Sequence, residues 1–236
     1  MRILGIESSS LVAGVAVVTD DVVTAEYNVN YKKTHSQTLL PMLDEIKKMT
    51  ELNLNTIDAI AVSGGPGSFT GLRIGSATAK GLGLALEIPL IHIPTLEAMA
   101  YNFYGVQKYI CPIMDARRNQ VYTGLYHFEG EKIICDIQQC AISIDELLKK
   151  LENLNEEVIF TGDGIPVFKD YIDENMKNIH SFAPPHMSRQ RAASVAALGK
   201  KYYLSGKIET AEAHVPDYLR LSQAERERKE KEEVHK

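Results

Sequence analysis

The run Gly64-Gly65-Pro66-Gly67-Ser68-Phe69-Thr70-Gly71 is the part of this chain best suited to hold a charged ligand. It follows an apolar segment, Ile57 to Val62, of strand composition and leads into a small-residue segment, Leu72 to Glu87, of helical composition. A strand joined to a helix through glycines lets backbone N–H groups approach a ligand, and a helix N-terminus favours an anion. Phosphate or acyl binding is the chemistry that such a loop suggests. The generic phosphate loops nevertheless do not match. Leu72 and Arg73 follow Gly71, where a P-loop needs Lys and then Ser or Thr. Gly65, Gly67 and Gly71 space as G-x-G-x-x-x-G, which is not the dinucleotide pattern. Ser68 and Thr70 are hydroxyls that could attack a substrate, but no G-x-S-x-G elbow surrounds them. Capping the following helix is the expected use of Ser68.

Other reactive side chains are dispersed. His35 opens the run His35-Ser36-Gln37-Thr38, where a lone histidine is expected to be hydrogen-bonded structure. His180 and His186 flank Pro184-Pro185 and read as surface residues without a further ligand set. Asp115-Ala116-Arg117-Arg118 suits either a small anion or RNA contact, or a turn organised by its aspartate; both readings stay open. Cys111, Cys135 and Cys140 are odd in number and lack C-x-x-C spacing, which suits a reducing compartment. A net charge of −5 at pH 7 argues against an autonomous nucleic-acid binder. Glu7 and Ser8 to Ser10 cut the apolar N-terminus too short for a signal peptide, and no run approaches the roughly 20 apolar residues of a membrane helix. A cytoplasmic protein with no membrane association is expected.

Alternating strands and helices must position these residues. Ile3 to Ile6, Val12 to Val18 and Val22 to Val29 predict an antiparallel meander. A helix follows, with Thr38 as its expected cap and Pro41 in its first turn. Its apolar stripe is Leu39, Leu43, Ile46 and Met49, widened by Leu40 and Met42. After the glycine loop and its helix, Leu90 to Ile93 predicts a strand, and Thr95 is expected to cap a helix through Phe103. A second unit starts near Tyr109, with β-like runs at Tyr109 to Met114, Val121 to Tyr126 and Lys132 to Ala141. Ser143 and Glu146 form a capping box for a helix to about Leu151. Val158 to Thr161 is another strand and Pro166 to Met176 a helix, and Ser188 is expected to cap a long helix ending before Gly206. The repeated order predicts two related α/β halves, 1–106 and 107–222. The helix at 188–205 is expected to pack back on the first half, and a charged tail occupies 223–236.

The chain resembles the TsaB family, the small subunit of the bacterial machinery for threonylcarbamoyladenosine in tRNA. The resemblance rests on Ile3-Leu4-Gly5-Ile6-Glu7-Ser8-Ser9, on His35 to Pro41, on Gly65 to Leu82, on Asp115 to Arg118 and on Pro216-Asp217-Tyr218-Leu219-Arg220. It implies a two-lobed α/β fold of the actin, sugar kinase and heat-shock ATPase type, each lobe a ribonuclease H-like mixed sheet with flanking helices. Glu7 departs from the aspartate usual in the family. The resemblance also implies a non-catalytic subunit that dimerises with TsaD, the catalytic subunit, beside an ATPase, TsaE, with tRNA contacted only through the complex. TsaD carries two metal-binding histidines four residues apart; Thr95 and Met99 stand at the equivalent positions here, a poor ligand pair. The chain alone is therefore expected to hold no cofactor, with ATP and metal on its partners.

In that fold the first hairpin wraps a nucleotide phosphate. This makes Ser8, Ser9, Gly65, Gly67 and Ser68 weak candidates for nucleotide contact, with Gly162-Asp163-Gly164 the nearest approach to the second phosphate motif. A small-molecule kinase or ATPase, a metallopeptidase-like enzyme and a homodimeric scaffold unrelated to tRNA are the alternatives. Gly71, Gly75, Ala79 and Gly83 recur every four residues and predict a bare helical ridge. Mid-helix glycines are costly, so close backbone approach must offset them. The expected partner surface is this ridge together with Leu39, Leu40, Met42, Leu43 and Ile46, with internal packing of the ridge as the competing reading.

Overall fold

The computed structural model describes residues 1–154 and 156–219. The first sheet contains β1 (Arg2–Glu7), β2 (Val12–Thr19), β3 (Val22–Asn30), β4 (Ala59–Gly65) and β5 (Leu90–Pro94) in the order β3-β2-β1-β4-β5. The β1–β2–β3 meander is antiparallel, and β4 and β5 add in parallel through α1 (His35–Thr50) and α2 (Phe69–Leu86). The helix α3 (Thr95–Tyr101) leads to the second sheet. There β6 (Tyr109–Asp115), β7 (Gln120–Glu129) and β8 (Lys132–Ser143) form the meander. Then α4 (Ile144–Leu151), β9 (Val158–Thr161), α5 (Ile165–Asn175) and β10 (His180–Phe182) follow, giving the order β8-β7-β6-β9-β10. Both sheets thus share one order and one pattern of directions. The fold is the two-lobed α/β architecture expected, with two mixed sheets and flanking helices.

Period-two alternation divides each strand between two apolar layers. Leu4 and Ile6 of β1 face α1 and α2, meeting Leu39, Met42, Leu43 and Ile46. Ile3, Ala59 and Ala61 face α6 (Ala192–Leu204), which returns from the second half to lie on the first sheet. Small residues permit that approach: a Cβ on Gly5 would lie 2.4 Å from the Ala192 carbonyl oxygen, and one on Gly199 would lie 2.5 Å from Ala61 Cβ. The second sheet packs α4 and α5 on one face and α3 on the other. α3 also touches β4, β5 and α6, so it joins the two lobes.

Several helix starts differ from expectation. α1 begins at His35, so Thr38 lies one turn inside, its hydroxyl donating to the His35 carbonyl at 3.2 Å. Pro41 therefore stands within the helix and not in its first turn. Thr95 does not cap α3; its Oγ1 accepts from Gly65 N–H at 3.2 Å instead. Ser188 donates to the Pro185 carbonyl in a turn, and α6 starts at Ala192. Tertiary partners cap α6: Ala192 N–H donates to Asn28 Oδ1 at 3.3 Å and Ala193 N–H to Glu26 Oε1 at 3.0 Å, both acceptors on β3. Capping from a distant strand leaves no local sequence signature. The tail at 223–236 lies outside the described residues.

The expected bare ridge requires correction. Gly71, Gly75, Ala79 and Gly83 are all buried within the chain. A Cβ on Gly71 would lie 2.1 Å from the Ser8 carbonyl oxygen, one on Gly75 2.0 Å from Ser8 Oγ, and one on Gly83 2.9 Å from a Leu90 methyl. Leu39, Met42, Leu43 and Ile46 are likewise core residues, whereas Leu40 and Met49 are exposed. Close backbone approach does offset the glycines, but against β1 and β5.

Two glycines of one helix should therefore respond oppositely to alanine. Gly71→Ala is expected to lower stability by about 1–3 kcal/mol, because backbone must shift. Gly81→Ala, whose Cβ meets nothing within 4 Å, should raise it by up to about 1 kcal/mol through helix propensity. Chemical denaturation of both variants measures the signs. Ala79→Leu should destabilise the isolated chain as Gly71→Ala does, since Ala79 is fully buried.

Candidate functional site

The sequence candidates converge where the β1–β2 turn meets the glycine loop. β1 ends in Glu7, and Ser8, Ser9 and Ser10 make the turn; all four are buried. Ser8 N–H donates to Ser63 Oγ at 3.1 Å, which ties the turn to β4. The loop after β4 folds onto the turn: Ser68 N–H donates to the Ser9 carbonyl at 2.6 Å. A Cβ on Gly67 would lie 2.2 Å from that same oxygen. Ser68 caps α2, its Oγ accepting from Gly71 N–H at 3.3 Å, as its sequence position suggests.

Three N–H groups of the loop are thus engaged by the chain itself. Gly65 N–H faces Thr95 Oγ1, Ser68 N–H faces Ser9, and Gly71 N–H faces Ser68. Ser8 and Ser9 have no exposed surface. The weak nucleotide candidates Ser8, Ser9, Gly65, Gly67 and Ser68 come together in space, with Ser8, Ser9 and Gly65 buried, Gly67 partly buried and Ser68 exposed at the rim. The glycines bring two backbone segments into contact, the other use of a residue without Cβ. Thr95 and Met99, the positions compared with TsaD histidines, are both fully buried, with Met99 in the apolar layer between α3 and the second sheet.

Two acids lie beneath this junction. Glu7 Oε1 accepts from Ser9 N–H at 2.6 Å and from Ser9 Oγ–H at 2.5 Å. Burial pushes the Glu7 carboxyl up to about 7 against those bonds. Asp163, in the turn between β9 and α5, feels the same burial and is also raised, with Gln190 Nε2 donating to it at 3.3 Å. The Gly162-Asp163-Gly164 turn packs on β6: Gly164 N–H donates to the Ile113 carbonyl at 3.0 Å, and a Cβ on Gly162 would lie 2.1 Å from that oxygen. The negative charge of Asp163 adds slightly to the upward push on Glu7. The Ser9 hydroxyl and the Glu7 carboxylate it donates to are both buried.

The remaining sequence candidates are structural. His35 Nε2 lies 3.1 Å from the Val12 carbonyl. His180 is a correction: it belongs to β10, partly buried, with Nε2 3.0 Å from Asp173 Oδ1. His186 is exposed, as expected. Asp115 Oδ1 accepts from Arg117 N–H at 2.7 Å, and Arg117, Arg118 and Asn119 all have positive φ, so this aspartate organises a turn. Thr70 is exposed on the first turn of α2.

Sequence reasoning missed the segment after α6. Glu209 exchanges backbone bonds with Leu90 at 2.9 Å each way, Asp217 N–H donates to the Gly64 carbonyl at 2.6 Å, and the Tyr218 ring lies 4.6 Å from Phe69. This strap covers the outer side of the glycine loop. It also brings His214 and Glu209 to His92, a grouping that no sequence spacing could have signalled.

The pH response of Glu7 follows from its burial. A carboxyl raised on folding keeps its proton in the native state longer than in the unfolded chain, so stability falls as pH rises from about 4.5 to about 7. The loss attributable to Glu7 is up to about 3 kcal/mol. Glu7→Gln is expected to flatten the Tm-against-pH curve across that window; an unchanged slope would count against this assignment.

Comparison with known proteins agrees with this architecture. A family model described as TsaD, tRNA N6-adenosine threonylcarbamoyltransferase, matches residues 23–228. The tRNA threonylcarbamoyladenosine biosynthesis protein TsaB of Bacillus subtilis (strain 168) is 34% identical over 227 residues, covering 95% of this chain and 96% of that protein. The TsaB protein of Escherichia coli (strain K12) is 30% identical, with 93% and 95% covered. Among solved structures, YeaZ from Pseudomonas aeruginosa superposes with a TM-score of 0.76 at 22% identity, over 92% of this chain and 99% of that one, a likeness of fold. With its glycine junction, its repeated sheet order and relatives that match along nearly its whole length, the chain belongs to the TsaB family of tRNA threonylcarbamoyladenosine biosynthesis proteins.

Proposed function

We propose that this chain is a non-catalytic subunit of the threonylcarbamoyladenosine machinery that acts by docking on TsaD. The observation that carries the reading is an open groove of about 480 Å³ between α1 and α2, lined by Leu40, Ile74, Ala77, Gly81 and Leu82 with Ser36 and Thr78 at its sides. Ile74, Ala77, Gly81 and Leu84 follow one another at helical spacing on the solvent side of α2, opposite its buried glycine face. Leu40 and Leu84 are each about half exposed, 52% and 54%. A TsaD family model matching most of this chain suggests that TsaD carries an equivalent helix pair. Two such pairs can meet as a four-helix contact about a pseudo-two-fold axis. A second copy of this chain fits the same groove, so homodimer and heterodimer would compete for it.

The use of Ser68 as a helix cap and the burial of the Ser9–Glu7 hydroxyl–carboxylate pair away from solvent favour a supporting role. In this reading, metal and ATP chemistry belong to TsaD and TsaE, and tRNA is reached through the complex. Among the described residues, no helix is long and apolar enough to cross a membrane. A subunit of this kind acts by binding one state of its partner more tightly than another.

Gly81→Leu tests the docking face without disturbing the core, because the added side chain points into open space. It is expected to weaken TsaD binding tenfold or more in titration calorimetry, at undiminished Tm of the isolated chain. Normal TsaD affinity would remove the groove from the interface. In a reconstituted system, Ser68→Ala and Asp163→Asn should keep tRNA modification within a few-fold of wild type. A loss of several orders of magnitude with the complex intact would make this subunit catalytic.

A further inference from the structure

β5 and the strap after α6 bring two histidines and two carboxylates together beyond the glycine loop. His92 lies on β5, its ring flat against the backbone of Gly64, where a Cβ would fall 2.1–2.4 Å from three ring atoms. His214 stands opposite, with ring centroids 5.7 Å apart. One donor atom from each of His92, Glu209 and His214 lies within 4.8 Å of the other two. Asp217 Oδ2 is 3.3 Å from His92 Nε2.

A second observation concerns His214 alone. The residue is 1% exposed; Nδ1 meets Glu209 Oε1 at 2.6 Å, while Nε2 is buried with no hydrogen-bond partner among the described residues. A buried polar atom left without a partner is destabilising and calls for an explanation. A neutral imidazole with an open nitrogen and a carboxylate on its other nitrogen is the arrangement found for metal-bound histidine.

We propose that His92, His214 through its Nε2, and Asp217 form a site for a divalent transition metal, zinc by ligand chemistry, with Glu209 orienting His214 through Nδ1, and that the metal clamps the strap to the first lobe. Imidazole and carboxylate together suit zinc, whereas magnesium and calcium prefer oxygen alone. Metal ligation takes imidazole in its neutral form, and carboxylates beside it supply charge that balances a dication. Lys80, the neighbouring cation, donates to the His214 carbonyl at 2.9 Å and pairs with neither carboxylate. Tetrahedral zinc with bonds of about 2.0–2.1 Å separates its ligands by about 3.4 Å. The His92–Asp217 pair already has that spacing. The site differs in place from Thr95 and Met99. It does not depend on the docking groove.

The test uses the full chain, stripped with a chelator and titrated with Zn²⁺ and with Co²⁺. The expected result is one zinc per chain by elemental analysis, a visible Co²⁺ absorption bleached by zinc, and a Tm that rises with zinc. His92→Ala, at a partly exposed position, should weaken zinc binding at least tenfold and abolish the Tm response, while the exposed His186→Ala changes neither. Glu209→Gln provides a second variant should His214→Ala fail to fold. A wild-type chain that takes up no zinc, or equal affinity after His92→Ala, would overturn the proposal and leave two ordinary histidine–carboxylate pairs.

Discussion

The contact between the Ser8–Ser9 turn and the glycine face of the loop and α2 is the constraint on which the rest of the first lobe depends. The carbonyl oxygens of Ser8 and Ser9 occupy the space where side chains at Gly67 and Gly71 would stand. Because backbone meets backbone there, α2 lies closer to β1 than any residue with a Cβ would allow. That closeness fixes the rotation of α2 about its axis. Gly71, Gly75, Ala79 and Gly83 must then face inward, and Ile74, Ala77, Gly81 and Leu84 must face outward beside Leu40. The groove is the outer consequence of the inner contact.

The same contact takes up part of the loop's hydrogen-bonding capacity. A glycine loop at a helix N-terminus can bind an anion only while its N–H groups are free. Here Ser68 N–H is held by Ser9, Gly65 N–H by Thr95 and Gly71 N–H by Ser68. Glu7 lies too deep to keep an ordinary carboxylate affinity for protons, and Asp163 of the other lobe is shifted in the same direction. The electrostatic cost of these acids is tolerable because Ser9 and Gln190 donate to them.

The strap after α6 closes the loop from outside. Its Asp217 N–H reaches the Gly64 carbonyl, Tyr218 packs on Phe69, and the Arg73 guanidinium lies 3.9 Å above the Phe69 ring. The first turn of α2 is therefore held on two sides, by the hairpin turn and by the strap. Whatever fixes the strap at His92 and His214 also steadies the helix that lines the groove.

Much of the architecture was legible in the residues themselves. Alternating Val and Ile runs separated by short turns set the two meanders, and the Ser68 cap and the Ser143–Glu146 box marked helix starts, because each acts over a few neighbouring residues. Helix starts fixed by distant partners were not legible: Asn28 and Glu26 cap α6 from β3, and Thr95 turns from its own helix to Gly65. The four-residue spacing of Gly71, Gly75, Ala79 and Gly83 determined that something must approach that face closely. Periodicity says that a face is bare, but only the packing of the sheet decides which way it points. The cluster of His92, Glu209 and His214 is tertiary for the same reason: side chains far apart along the chain acquire a common chemistry only where β5 and the strap are hydrogen-bonded side by side.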